Sequence, residues 1–201
     1  MIVSSVVLAY HGCDQSLAEA VVGGHKDLKV SKNDYDWLGE GAYFWENSPR
    51  RALRWAEYLR DHPGISKSKI KKPAVVGAVI ELGNCLDLTD QASLDLLKKV
   101  AWVYRRYNDL TGLDMPKNEK APHAGDHNRL LRYLDCAVIN FCHFLREDEE
   151  GLIPFDTVRG VFPEGGPLFD GSEIQEKTHI QIAVRNTDKI LGYFWPRNTE
   201  S

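Results

Sequence analysis

Three short stretches of the chain carry residue types that can bind a polar ligand and act on it. Tyr10-His11-Gly12 follows an apolar run and sets an imidazole beside a residue with no side chain. Glycine lets a ligand or another backbone come close, and an imidazole can hold a hydroxyl or move a proton near neutral pH. "LGEGAYFWENS", residues 38–48, places a Gly-Glu-Gly turn before Tyr43, Phe44 and Trp45. Alternation along a strand puts Tyr43 and Trp45 on one face and Phe44 on the other, which predicts Tyr43 in a cleft and Phe44 in the core. In "HIQIAV", residues 179–184, the same alternation gives Ile180, Ile182 and Val184 to the core and turns His179 and Gln181 toward solvent or a cleft. Each stretch has an ordinary alternative: a satisfied structural histidine, aromatic core filler, a glutamine on an outer strand face. It is their combination that suggests convergence on one pocket.

The elements that would position these residues can be read along the chain. Residues 2–10, β-branched and apolar, predict a buried strand ending in Tyr10-His11-Gly12. Ser16 with Glu19 predicts a capping box opening a short helix that closes at Gly23-Gly24. Residues 25–40 read as loop and 41–46 as a short aromatic strand. Ser48 and Pro49 start a helix whose Ala52, Trp55, Ala56 and Leu59 share one face. Residues 74–82 predict a central strand, 90–108 and 126–146 helices, and "FDTVRGVF", "HIQIAV" and "KILGYF" three later strands. This order is not a regular alternation of strand and helix. It predicts an α+β fold with a mostly antiparallel sheet, in a single domain over 1–201 with a helical insertion over approximately 89–150.

Composition narrows the function classes. With 43% hydrophobic and 27% charged residues the chain has the makings of an ordinary globular core. A net charge of −4 provides no global basic field for nucleic acid or acidic membranes, so a polyanionic substrate would need a local patch. The four cysteines lack a CxxC spacing and are read as reduced thiols, which with the absence of a membrane-length apolar run predicts a cytoplasmic protein with no membrane partner. His123 and His127 stand four apart in a Pro/Gly-flanked loop without further ligands at a convincing spacing, so no metal site is expected. There is no P-loop or GxGxxG fingerprint.

The three stretches resemble the NAD-dependent ADP-ribosyltransferases, on the branch that shares the poly-ADP-ribose polymerase and diphtheria-toxin pattern. That branch carries a His, a Tyr and a late acidic residue on three successive core strands. "YHG" is similar to the first motif, with His11 at the histidine. "LGEGAYFWENS" is similar to the second, with Tyr43 at the tyrosine. "QIAVRNTDKILGYF" has the shape of the third, with Gln181 where the family usually has Glu. The resemblance covers roughly residues 1–60 and 155–195 and leaves the helical middle unexplained. The chain is similar to bacterial proteins suspected to be toxins of toxin–antitoxin or phage-defence systems.

The resemblance implies an ADP-ribosyltransferase-like fold of split antiparallel sheets and NAD as co-substrate. The implied acceptor is a macromolecule, nucleic acid (RNA among the candidates) or protein, and a cognate antitoxin is the implied further partner. It implies that His11 positions a ribose hydroxyl, that the Gly12 backbone meets the nicotinamide carboxamide, and that Tyr43 lies against the nicotinamide ring. Trp55 is a candidate for the ring's other face, with a core role as the alternative, and Ser31 for the carboxamide. Arg159 is a candidate for the pyrophosphate or the acceptor, with a surface ion pair as the alternative. Gln181 cannot act as a base near pH 7. Either it only positions the ribose, or a carboxylate among Glu164, Glu173 and Glu176 supplies the missing charge, or the site binds NAD and turns it over poorly; Gln181 assisted by Glu164 is the preferred reading. The competing functions are an NAD glycohydrolase, a relative of the NAD-using RNA 2′-phosphotransferases, and a non-catalytic interaction module that kept the fold.

Overall fold

The computed structural model describes residues 5–64, 69–120 and 131–197. The chain runs β1 (Val6–Asp14), α1 (Gln15–Val22), β2 (Ala42–Glu46), α2 (Pro49–Asp61), β3 (Pro73–Glu81), β4 (Cys85–Asp87), α3 (Gln91–Thr111), α4 (Tyr133–Asp148), β5 (Thr157–Phe162), β6 (His179–Val184) and β7 (Ile190–Phe194). One seven-stranded sheet forms in the order β4-β5-β6-β2-β1-β3-β7. Every pairing is antiparallel except the parallel edge pair of β4 with β5. This is an α+β architecture, with α3 and α4 between β4 and β5 in sequence.

In place of two separate sheets, the strands form one sheet with a weak seam at its centre. β1 pairs with β3 along its full length, from Val6–Glu81 to Asp14–Pro73. It pairs with β2 only at Ala9–Glu46 and Tyr10–Trp45. β1 also runs further than its sequence predicts. The partner strand carries it through Gly12 to Asp14, so His11 and Gly12 lie inside the strand rather than at its end.

The capping of α1 differs from expectation for a similar reason. Asp14, not Ser16, is the cap: its Oδ1 accepts from the Ser16 N–H at 3.1 Å and from the Ser16 hydroxyl at 2.6 Å. Its Oδ2 accepts from the N–H groups of Lys71 and Lys72 at 2.8 and 3.0 Å. Glu19 instead accepts from Gln15. One carboxylate thus ties the end of β1, the start of α1 and the approach to β3, and the Ser16 hydroxyl with these N–H groups holds its pKa below the carboxylate range. Ser48 sits at the cap of α2 without a side-chain bond, and Pro49 supplies the preset first turn.

Both sheet faces are covered. Ala9, Cys13, Ala42, Phe44, Ile182 and Val184 form one core with Ala18 and Val21 of α1. Leu86, Val158 and Ala183 form another with Leu38, Val100 of α3 and Ile139 and Cys142 of α4. The face of β6 that alternation assigns to solvent or a cleft is therefore largely buried, because α3 and α4 cover that side. α2 takes a third position, with Ala52 packed on Trp45 and Val75. Its approach to β1 is so close that a Cβ on Gly12 would lie 2.0 Å from the Ala52 carbonyl oxygen. The four cysteines are free, and burial pushes the Cys13 thiol up to about 12, so it is protonated at neutral pH. No helix among the described residues is long and apolar enough to cross a membrane.

This packing makes two predictions. Gly12→Ala forces α2 off β1 and is expected to cost about 1–3 kcal/mol, read as a lower urea midpoint. His143 of α4 is 2% exposed, and burial, with Arg185 and Arg146 nearby, lowers its pKa to about 3 from 6.5. The unfolded chain binds the proton first, so stability is complete above pH 6.5 and falls as pH drops from there toward 3. Urea titrations at pH 7 and pH 5 should differ, and His143→Phe should remove about 2 kcal/mol of that difference.

Candidate functional site

The seam between β1 and β2 is where the first two motifs meet. The Leu8 carbonyl accepts from the Asn47 N–H at 3.0 Å, so alternation aims the backbone groups of Leu8, Tyr10 and Gly12 toward β2. Register ends at Tyr10–Trp45, and Gly12 and Tyr43 do not pair. The Tyr43 carbonyl instead accepts from His11 Nδ1 at 2.8 Å. A carbonyl only accepts, so Nδ1 carries the proton. Burial lowers the His11 pKa, against a smaller upward push from that bond, and keeps the ring neutral. Nε2 is then a lone-pair acceptor on a partly accessible imidazole, suited to a hydroxyl. Gly12 lacks a side chain because α2 fills that space, while its N–H and C=O stay directed along the seam.

The strands bring the three motifs side by side, since β6, β2 and β1 are neighbours. The side chains divide between the faces. His11 lies edge-on to Phe44, at 5.9 Å between ring centres, on the α1 side. Tyr43 packs into the α3/α4 core, and Gln181 stands opposite Trp45 on that same side of the sheet. The Tyr43 hydroxyl is fully engaged: it donates to the Gly39 carbonyl at 2.7 Å and accepts from the Leu38 N–H at 2.8 Å. Gly39 takes φ +74°, where glycine is favoured, and a Cβ there would strike Asn140. Tyr43 thus serves as a buried latch for the preceding loop, with its pKa raised well above the ordinary value by burial. The Gln181 carboxamide is half-buried and makes no hydrogen bond to a described residue.

Glu164, just beyond β5, is 9% exposed and bonds Arg51 of α2 at 2.6 Å. His179 lies 3.9 Å from the same carboxylate oxygen and uses Nδ1 to donate to the Lys177 carbonyl at 2.6 Å. The Arg51 guanidinium sits 5.8 Å from the Trp45 ring centre, and Trp37 stacks with His179 at 6.1 Å. Trp45 Nε1, Arg51 Nε and His179 Nε2 are buried without a hydrogen-bond partner among the described residues. Burial lowers the His179 pKa, so this cluster sets one ion pair beside a neutral imidazole and two N–H donors without a partner among the described residues. Arg51 and Trp37 were not singled out from sequence, and Trp45 only as a residue sharing Tyr43's strand face. A signal existed: Arg50 and Arg51 stand in the first turn of α2, against the helix dipole, where a basic residue needs another reason to be.

The other candidates are occupied elsewhere. The Ser31 hydroxyl accepts from Asn33, and its backbone bridges Gly41. Trp55 stacks on Tyr58 at 5.6 Å and packs with Trp45 and Ala52, its core alternative. Arg159 grips Glu46 through Nε at 2.6 Å and Nη2 at 3.1 Å, and reaches Asp87 at 3.0 Å. Its fork is filled by carboxylates, and it stands opposite Ile182 rather than Gln181, which places it away from Gln181's face. His123 and His127 lie outside the described residues; among those described, no group of three or more His, Cys, Asp or Glu could hold a metal ion.

The chain is 28% identical over 206 aligned residues to an uncharacterized protein of Methanocaldococcus jannaschii, covering 92% of this chain and 85% of that protein. No protein-family model and no solved structure matches the chain.

The ion pair makes a separable prediction. Arg51→Met leaves Glu164 buried alone and is expected to cost about 3–5 kcal/mol, whereas Arg51→Met with Glu164→Leu restores most of it. Chemical denaturation of the two single variants and the double variant closes the cycle.

Proposed function

We propose that the chain is an NAD-dependent ADP-ribosyltransferase that breaks the bond between nicotinamide and ribose and passes ADP-ribose to a macromolecule. The observation that carries this reading is the strand order β6-β2-β1, which sets Gln181, Tyr43 and His11 on three adjacent strands beside an opened seam. The departing nicotinamide takes the bonding electrons, leaving oxocarbenium character on the ribose. The Gly12 backbone offers a donor and an acceptor to the carboxamide. Neutral His11 accepts a ribose hydroxyl at Nε2. His11 and Gln181 stand on opposite faces of the sheet, so the ribose would lie across the open end of the seam, where Gln181 holds a further hydroxyl without serving as a base. Glu164, tied to Arg51, contributes negative charge near the cationic centre rather than a proton-accepting step, and the acceptor's proton leaves to water. A toxin of this kind acts in the cytoplasm and is held in check by a cognate antitoxin.

The reading is tested by incubating the protein with NAD labelled in its adenylate part, alone and with cell RNA, DNA or protein. Label is expected on one macromolecular fraction, with His11→Ala and Gln181→Ala reducing transfer by at least about a hundredfold. Free ADP-ribose without transfer would indicate an NAD glycohydrolase, and intact NAD after long incubation a binding module.

A further inference from the structure

α3 carries a surface that the transferase chemistry does not use. Lys98, Trp102, Arg105 and Arg106 stand at i, i+4, i+7 and i+8, and therefore share one side of the helix, with Lys99 beside them. All five are exposed, Trp102 at 69%. None of the four cations forms an ion pair with a described residue. Asp95, one turn before them, accepts from Gln91 instead, and Asp109 lies one turn beyond. Four unpaired positive charges thus gather in about two turns of a chain whose net charge is −4. An indole this exposed, set among cations, presents an open ring face for stacking.

We infer that this side of α3 is a docking platform for single-stranded nucleic acid. The cations meet phosphates, and Trp102 offers a face on which an unpaired base can stack. Duplex DNA keeps its bases inside, whereas RNA loops and ends display them. An apolar protein partner would leave the four charges unanswered. The inference deepens the transferase reading by naming the acceptor's class, but its test needs no NAD, so the two can fail separately.

The test is fluorescence anisotropy of a labelled unstructured RNA 20-mer with the full chain, across a salt series. The wild type should bind with an affinity that falls as salt rises. Trp102→Ala should weaken binding at least about fivefold at fixed salt. Arg105→Ala with Arg106→Ala should flatten the log–log salt slope by about 1.4, or about 0.7 for each phosphate that is no longer neutralised. Because these side chains are exposed, thermal melts of the variants should match the wild type. No binding at low salt, wild-type affinity in both variants, or equal binding by duplex DNA or a polyglutamate peptide would overturn the assignment, while a single-stranded DNA 20-mer bound as well as the RNA would sustain it. Binding without any NAD turnover would sustain it and remove the transferase reading alone.

Discussion

The close approach of α2 to β1 is the constraint on which the rest of this molecule depends. A helix backbone can sit on a strand backbone only where no side chain intervenes, and residue 12 supplies that gap, with the Ala52 carbonyl where a Cβ would be. Ala52 and Ala56, both fully buried, keep the helix side equally thin. Docked there, α2 holds Arg51 above Trp45 and within reach of Glu164, 113 positions along the chain. The same docking leaves β1 committed to β3 while β2 swings toward β6. The seam and the buried ion pair thus lie on either side of one backbone contact.

Polar groups are distributed unevenly across this frame. Arg159 is saturated by Glu46 and Asp87, and the Tyr43 hydroxyl by two backbone groups. Around Arg51 and Glu164 the pairing stays incomplete, with an indole N–H, a guanidinium N–H and an imidazole lone pair all buried and without a partner among the described residues. Buried polar atoms without partners cost free energy comparable to a lost hydrogen bond. Three of the seven buried polar side-chain atoms that lack a partner among the described residues gather here, and the others belong to Arg132, His143 and Gln175.

Much of the fold was legible because hydrophobic period and turn chemistry act locally. The strands around Phe44, Val76 and Ile182 and the helix opened by Pro49 sit close to where their sequences put them. The misses have a common cause, which is a partner distant in sequence. β1 outlasts Gly12 because β3 pairs with it, Asp14 outcompetes Ser16 as the cap because Lys71 and Lys72 converge on its other oxygen, and the β6 face is covered by two helices that lie well before it in the chain, at 91–111 and 133–148. For the site, the sequence named His11, Gly12, Gln181 and Glu164 as candidates, and the structure puts His11 and Gly12 on the seam strand, Gln181 opposite Trp45 and Glu164 against Arg51. The sequence could not reveal that Arg159 is already claimed or that Arg51 faces Glu164, since each pairing spans more than seventy residues.

The Tyr43 hydroxyl has a consequence for how this region breathes. It ties Leu38 and Gly39, which belong to no regular element, to a central strand. The loop therefore cannot lift as an independent lid: releasing it strips a buried phenol of both partners. Leu38 and β2 open as one cooperative unit, and the amide of Leu38 is protected from solvent exchange for as long as the strand beneath it stays closed.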